Sequence, residues 1–289
     1  MSSSEDVGAS LRGLRIYLHE RFPLPMVVLL SLATATLMAG IAGHETAPMN
    51  RLPTTLAMAT AMFFFLMRQR ATDEFKDAGH DDTNYPNRPI QRGVVTRSQV
   101  RNLGLLALAA ELASVMVAGM LAGNPTSVVW YLPFLAYSGL TAVEFFAGSW
   151  LNRHFNLYFL SHQGIFVVYA IWVFAVFGTA LSPASTLGFV FVMMTVEIAR
   201  KYEVRLDPAG LPVHDTYLTV WGAKTSLIIV ALTTELAAWM LAVTHGEYGP
   251  LVVSAGLLIA IVTLRRRSRA IQASIMVAFL TQSLVVYLT

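Results

Sequence analysis

The sequence contains no cysteine, which excludes disulfides, thiolate zinc, iron–sulfur clusters and cysteine nucleophiles. It is also short of charge. Asp, Glu, Lys and Arg make up 13% of its 289 residues, about half the share of a soluble domain. So few charges cannot clothe a water-facing surface. Nucleotide-binding and hydrolase signatures of the types G-x-x-x-x-G-K-[ST], G-x-G-x-x-G and G-x-S-x-G are absent too, and so are internal repeats and low-complexity tracts. What fills the sequence is apolar: 55% of residues are hydrophobic and the mean hydropathy is +0.58. These figures describe a membrane protein.

Crossing ~30 Å of hydrocarbon takes about 20 mostly apolar residues in a helix. Nine segments approach that length: 24–42, 52–68, 102–122, 127–147, 164–181, 184–199, 221–243, 248–264 and 270–288. The expected fold is therefore an all-α integral membrane bundle of about nine helices. A polar segment, 1–23, precedes one membrane domain, 24–289, and a cleaved signal peptide is not expected ahead of so many spans. With nine spans, nineteen of the 20 Lys and Arg residues fall on the side of the N-terminus, and Arg51 alone falls opposite. Cytoplasmic loops carry the excess of basic residues, so this side is expected to face the cytoplasm of an inner membrane. Net charge is only +3 and its basic residues line a membrane rim. The run Arg265-Arg266-Arg267-Ser268-Arg269 reads as a topology anchor that attracts anionic lipid, and no nucleic-acid partner is expected.

Two polar loops, 69–101 and 197–220, hold most of the acids on that side. The first reads Arg70-Ala-Thr-Asp73-Glu74-Phe-Lys76-Asp77-Ala-Gly-His80-Asp81-Asp82. On a helix Asp73, Asp77 and Asp81 share one face with Glu74 beside them. Like charges at that spacing repel, so a neutralising partner is expected. Oxygen clusters suit Mg²⁺, which keeps waters and is completed by substrate phosphates; Arg70, Lys76 and Arg88 can pair with the same phosphates. The second loop carries Glu197, Arg200, Lys201, Glu203, Arg205, Asp207 and Asp215. Four spans separate the loops, so both emerge on one face and can build one site. Charged loops at a membrane surface are commonly plain topology anchors, but three acids at spacing four followed by Asn84-Tyr85-Pro86-Asn87-Arg88-Pro89 are less ordinary.

At these residues the chain resembles the UbiA superfamily of intramembrane prenyltransferases. The motif N/D-D-x-x-D-x-x-x-D followed by R-P-x-x-x-G stands here as Asp73-Glu74-x-x-Asp77-x-x-x-Asp81 and Arg88-Pro89-x-x-x-Gly93. The resemblance implies that Asp73, Glu74, Asp77, Asp81 and Glu197 bind Mg²⁺, and that Asp73, Asp77 and Lys201 serve catalysis. It implies that Arg70, Lys76, Arg88, Arg153, Arg200 and Lys201 contact the diphosphate of an isoprenyl substrate. Two departures stand out. Glu74 replaces an aspartate, and the second motif, D-x-x-x-D, has become Glu197-x-x-x-Lys201, so that an ammonium takes part of a metal's electrostatic role. Asp207 and Asp215 are candidates for the displaced carboxylate. The implied reaction ionises an isoprenyl diphosphate and transfers its prenyl group to an acceptor, aromatic or lipid, that the residues do not specify. A terpene cyclase using the diphosphate alone is the alternative within the fold.

Glu111, Glu144 and Glu235 lie inside expected spans, where carboxylates are costly and often functional. They would supply a proton-coupled transporter, the alternative of another class, or interhelical contacts. Glu144, nearest the polar side, is the one expected to reach the pocket as a catalytic residue. His154 and His162 could share a helical face, but zinc needs further ligands. Phe63, Phe64 and Phe65 sit just above the first motif, as packing residues or as aromatic faces beside a cation.

Overall fold

A computed structural model describes residues 2–43, 48–246, 248–264 and 267–289. Arg265 and Arg266 of the expected basic anchor lie outside the described residues. Among these residues the architecture is all helical, the one β feature being an isolated bridge between Leu206 and Pro212. The helices are α1 (Ser2–Arg21), α2 (Leu24–Gly43), α3 (Pro48–Lys76), α4 (Ala78–Asn84), α5 (Arg97–Leu121), α6 (Leu132–Ala142), α7 (Gly148–Arg153), α8 (Phe155–Phe177), α9 (Pro183–Arg200), α10 (Tyr217–Val220), α11 (Gly222–His245), α12 (Gly249–Leu264) and α13 (Ser268–Leu288).

Local chemistry sets the ends. Thr96 and Gln99 form a reciprocal capping box at the start of α5, and the Ser182 hydroxyl accepts from Ser185 N ahead of Pro183 at the start of α9. Gly178 ends α8 in the left-handed conformation. Six of the helices, α2, α5, α8, α9, α11 and α13, are long and apolar enough to cross a membrane. Three expected spans differ from these. In α3 the apolar stretch is bounded by Arg51 and Arg68. The segment 127–147 is divided into a 3₁₀ helix (Pro125–Tyr131), α6 and a second 3₁₀ turn (Glu144–Phe146). The third is α12, apolar but only 16 residues long.

The bundle is packed around α2, whose residues from Thr34 to Gly43 are buried with one exception, Thr36. Small side chains let its neighbours approach: a Cβ on Gly40 would run into the Val286 backbone of α13. Beneath the polar end an aromatic group of Phe65, Tyr131, Phe134, Tyr169, Trp172 and Phe189 fills the core. Large apolar side chains face outward, Leu106 being 70% and Val252 72% exposed, the inverse of a water-soluble surface and the expected exterior for lipid.

One buried polar group crosses this interior. Glu111 is fully buried, and it accepts from Arg68 Nε at 2.7 Å and Nη2 at 2.9 Å and from the Tyr131 hydroxyl at 2.6 Å. Arg68 also donates to the Ser138 hydroxyl at 3.1 Å. The network ties α3, α5 and the interrupted fourth segment together.

Candidate functional site

Past its apolar stretch α3 continues to Lys76, and the helical hydrogen bonds run on through Asp77 N to Asp73 O (2.9 Å) and Asp81 N to Asp77 O (2.8 Å) into α4. The three aspartates therefore follow one another a turn apart, yet their surroundings diverge. Glu74 and Asp81 are buried, 3% and 2% exposed, and each is held by guanidinium groups. Glu74 accepts from Arg21 at 2.9 Å and Arg70 at 2.7 Å. Asp81 pairs with Arg88 and, at 3.7 Å, with Arg21. Burial alone would raise the Glu74 carboxyl, but Arg70 and Arg21 outweigh it and hold the group below the usual range. Arg88 lies over the Tyr85 ring, 3.8 Å from its centroid. The turn that delivers it closes with Val94 N bonded to Pro89 O and with Gly93 at φ 73°, a left-handed conformation that favours glycine.

Asp73 and Asp77 remain on the other side of the motif. Asp73 is only loosely paired, 3.9 Å from Arg70 and 3.8 Å from Lys76. Among the described residues Asp77 has no ion pair; burial lifts its carboxyl above the ordinary range, with Lys76 opposing and Asp73 and Asp81 adding to the rise.

The second wall is the end of α9. Glu197 accepts two 2.9 Å bonds from Arg200, lies 3.5 Å from Lys201 and accepts from the Tyr217 hydroxyl at 3.3 Å. Burial pulls the Lys201 ammonium below its ordinary value, Glu197 opposes and Arg200 reinforces the fall; Asp73 is in electrostatic reach. The two loops meet directly, since the Tyr85 hydroxyl donates to Asp215 at 2.6 Å and Arg205 bridges Asp215 and Glu203. Asp207 is turned into its own loop, accepting from Ala209 N and Leu211 N. Beside this junction a cavity of about 280 Å³ is lined by Arg21, Tyr85, Asn87, Arg88 and Asp207.

The third side is the start of α8. Lys76 Nζ donates to the Tyr158 hydroxyl at 3.2 Å, and the Tyr158 ring stacks on His162 at 4.2 Å. Glu144 lies in a turn of three consecutive residues with positive φ, 48°, 55° and 56° for Glu144, Phe145 and Phe146, strained backbone for side chains of this kind. Arg153 is exposed and donates to the Ser149 carbonyl of its own helix; among the described residues no hydrogen bond or ion pair brings it to the other site residues. His154 is likewise exposed and bonded to the Trp150 carbonyl.

Arg21 and Tyr158 belong to this region although the sequence pattern gave neither a role, and His162 belongs to it although the sequence offered it only as half of a histidine pair. Arg21 counts in the sequence as one of many rim cations, and its partner lies 53 residues away. The signal available was the acid excess of the first motif, which required cations from elsewhere.

Among the described residues no group of three or more His, Asp or Glu side chains converges to hold a metal ion. Glu74, Asp81 and Glu197 are occupied by arginine and lysine, so the five-carboxylate set does not assemble in this arrangement. Asp73 and Asp77, a turn apart and weakly neutralised, do fit a single Mg²⁺, which needs one or two carboxylates and takes its remaining ligands from water and phosphate.

No protein-family model matches the chain, and no curated protein matches it. Among solved structures, the apo structure of a UbiA homolog from Aeropyrum pernix K1 is similar at 17% sequence identity, with a TM-score of 0.58 over 90% of this chain and 94% of that one. The chain therefore has a UbiA-like fold, an all-helical bundle with its acidic motifs gathered at one polar end.

Proposed function

We propose that the chain is an integral inner-membrane prenyltransferase, with about nine spans and its polar end toward the cytoplasm, that ionises an isoprenyl diphosphate and passes the prenyl group to an aromatic or lipid acceptor. The observation that carries the reading is the meeting of the two acid-bearing loops across Tyr85–Asp215. In this reading the same polar end offers Arg70, Lys76, Arg88, Arg200 and Lys201 to the substrate, above an apolar, aromatic interior.

In this reading Lys76 and Lys201 face the diphosphate directly, and Arg70, Arg88 and Arg200 reach it by exchanging a carboxylate partner for a phosphate oxygen. Charge-assisted donors aimed at the departing oxygens stabilise the charge that develops as the C1–O bond breaks. One Mg²⁺ held by Asp73 and Asp77 would supply Lewis-acid stabilisation of the same leaving group. The greasy tail lies between helices, where exclusion of water protects the allylic cation until the acceptor attacks. The transporter alternative loses a member of its proton relay, because Glu111 is committed to Arg68 and Tyr131.

The test is release of diphosphate from geranyl, farnesyl and geranylgeranyl diphosphates, with and without acceptors and with EDTA. Release that EDTA and Asp77→Ala both abolish is the expected result. No release from any chain length refutes the reading, and a cyclic hydrocarbon formed without acceptor replaces transfer by cyclisation.

A further inference from the structure

Prenylation of a nucleophile that carries hydrogen leaves one proton to be removed, and the residues placed at the diphosphate are mostly cations or carboxylates already paired. His162 is different. Its Nδ1 lies 2.7 Å from the Tyr158 carbonyl oxygen. A carbonyl can only accept, so Nδ1 carries the hydrogen, and in the neutral ring Nε2 carries a lone pair. That Nε2 is buried and, among the described residues, has no hydrogen-bond partner. An unpartnered buried acceptor is costly, and the cost is tolerated most readily where a ligand completes it.

Its position suits such a ligand. The imidazole stacks on Tyr158, whose hydroxyl accepts from Lys76 of the first motif. Lys201 and Glu197 of the second wall are also in electrostatic reach of the ring. Phe145 stands edge-on to it at 5.8 Å, and Phe145 is the middle residue of the strained Glu144–Phe146 turn. A piece of wall already held in an unfavourable conformation is the cheapest to displace when an acceptor enters.

Resting on the prenyl-transfer reading, we propose that His162 is the base that takes the acceptor's proton. In the balanced step the prenyl C1–O bond breaks and diphosphate leaves with its electron pair. The acceptor's nucleophilic atom bonds to C1, and the hydrogen on that atom passes to His162 Nε2. The histidine becomes imidazolium and later returns the proton to water. No oxidant or further reactant is required.

The experiment uses the full-length protein in detergent. His162→Asn keeps a donor for the Tyr158 carbonyl but removes the basic nitrogen. With farnesyl diphosphate and two probe acceptors, 2-naphthol and dodecanol, the variant should lose prenylated product about a hundredfold, the lower range for a general base. It should still release diphosphate, with farnesol, the water-captured product, in its place, and still bind farnesyl S-thiolodiphosphate as wild type does. Prenylated product within threefold of wild type overturns the role and leaves the prenyl-transfer reading standing. Loss of thiolodiphosphate binding also overturns it, making His162 part of the binding wall. ¹⁵N NMR of labelled histidine provides a measurement independent of turnover and of the acceptor chosen. The Nδ1–H tautomer with a bare Nε2 is expected at neutral pH, and an Nε2–H tautomer refutes the assignment. Wild-type protein that releases no diphosphate removes the underlying reading itself, and the role with it.

Discussion

Glu111→Ala should be among the most damaging single substitutions in the bundle. The carboxylate accepts two hydrogen bonds from Arg68 and one from Tyr131, and its side chain is 0% exposed against 12% for Arg68. Its removal leaves a guanidinium and a phenol in apolar surroundings, with Ser138 and, at 3.5 Å, the Gln69 side chain as the remaining partners of Arg68. Breaking a buried pair by deleting one partner costs about 3–5 kcal/mol. Soluble domains approaching this size lose roughly 2–4 °C per kcal/mol, so the thermal midpoint in detergent should fall by about 6–20 °C. The paired change Arg68→Met with Glu111→Leu removes both charges and should recover most of the loss, because two apolar groups leave nothing to neutralise. Thermal unfolding followed by near-UV circular dichroism, with monodispersity checked by size exclusion, measures all three proteins. A Glu111→Ala midpoint within about 1 kcal/mol of wild type, or a double variant no better than the single one, would refute the reasoning.

Phe146 is 84% exposed at φ 56°, so Phe146→Gly should gain about 1 kcal/mol in thermal unfolding by relieving left-handed strain with little packing lost. Gly93→Ala should have the opposite sign, a loss of about 1–2 kcal/mol, with faster proteolysis of the 85–95 turn as the local readout. Asp77 is held above the ordinary carboxylate range by burial first and then by Asp73 and Asp81, against Lys76. Folding therefore favours its protonated form, and that stabilisation is lost as pH rises through the folded value. In EDTA, Asp77→Asn should raise the midpoint at neutral pH and make little difference below the unfolded value; equal midpoints at neutral pH would contradict this. Tyr85→Phe deletes the hydroxyl that joins the loops, and it should lower stability by about 1 kcal/mol and weaken retention of pyrophosphate measured by calorimetry.

Period and hydropathy made much of this arrangement readable. The spacing of Asp73, Asp77 and Asp81 anticipated a helical run, and the backbone bonds through Asp77 supply it. Long apolar segments marked where six crossing helices lie. What escaped is long-range. No local rule says that Glu74 will find Arg21 of α1, or that Asp81 will be shared by Arg21 and Arg88. Carboxylates that looked equivalent in the motif consequently divide into two that are paired and buried and two that are not. The interruption at Glu144–Phe146 escaped as well, because nothing in Glu-Phe-Phe favours positive φ. His162 was visible only as one of a histidine pair at helical spacing, and the bond from its Nδ1 gives it chemical character.

Arg21 has a consequence for biosynthesis. It leaves the ribosome ahead of α2, whereas Glu74, Asp81 and then Asp215 emerge later in that order. A nascent chain extended only as far as α3 already holds the cation that will neutralise two of the acids of the first motif. Synthesis thus supplies a counter-ion ahead of the charges it serves. A chain without residues 1–21 would insert α3 with those carboxylates short of a partner, and the defect would be one of assembly long before it was one of activity.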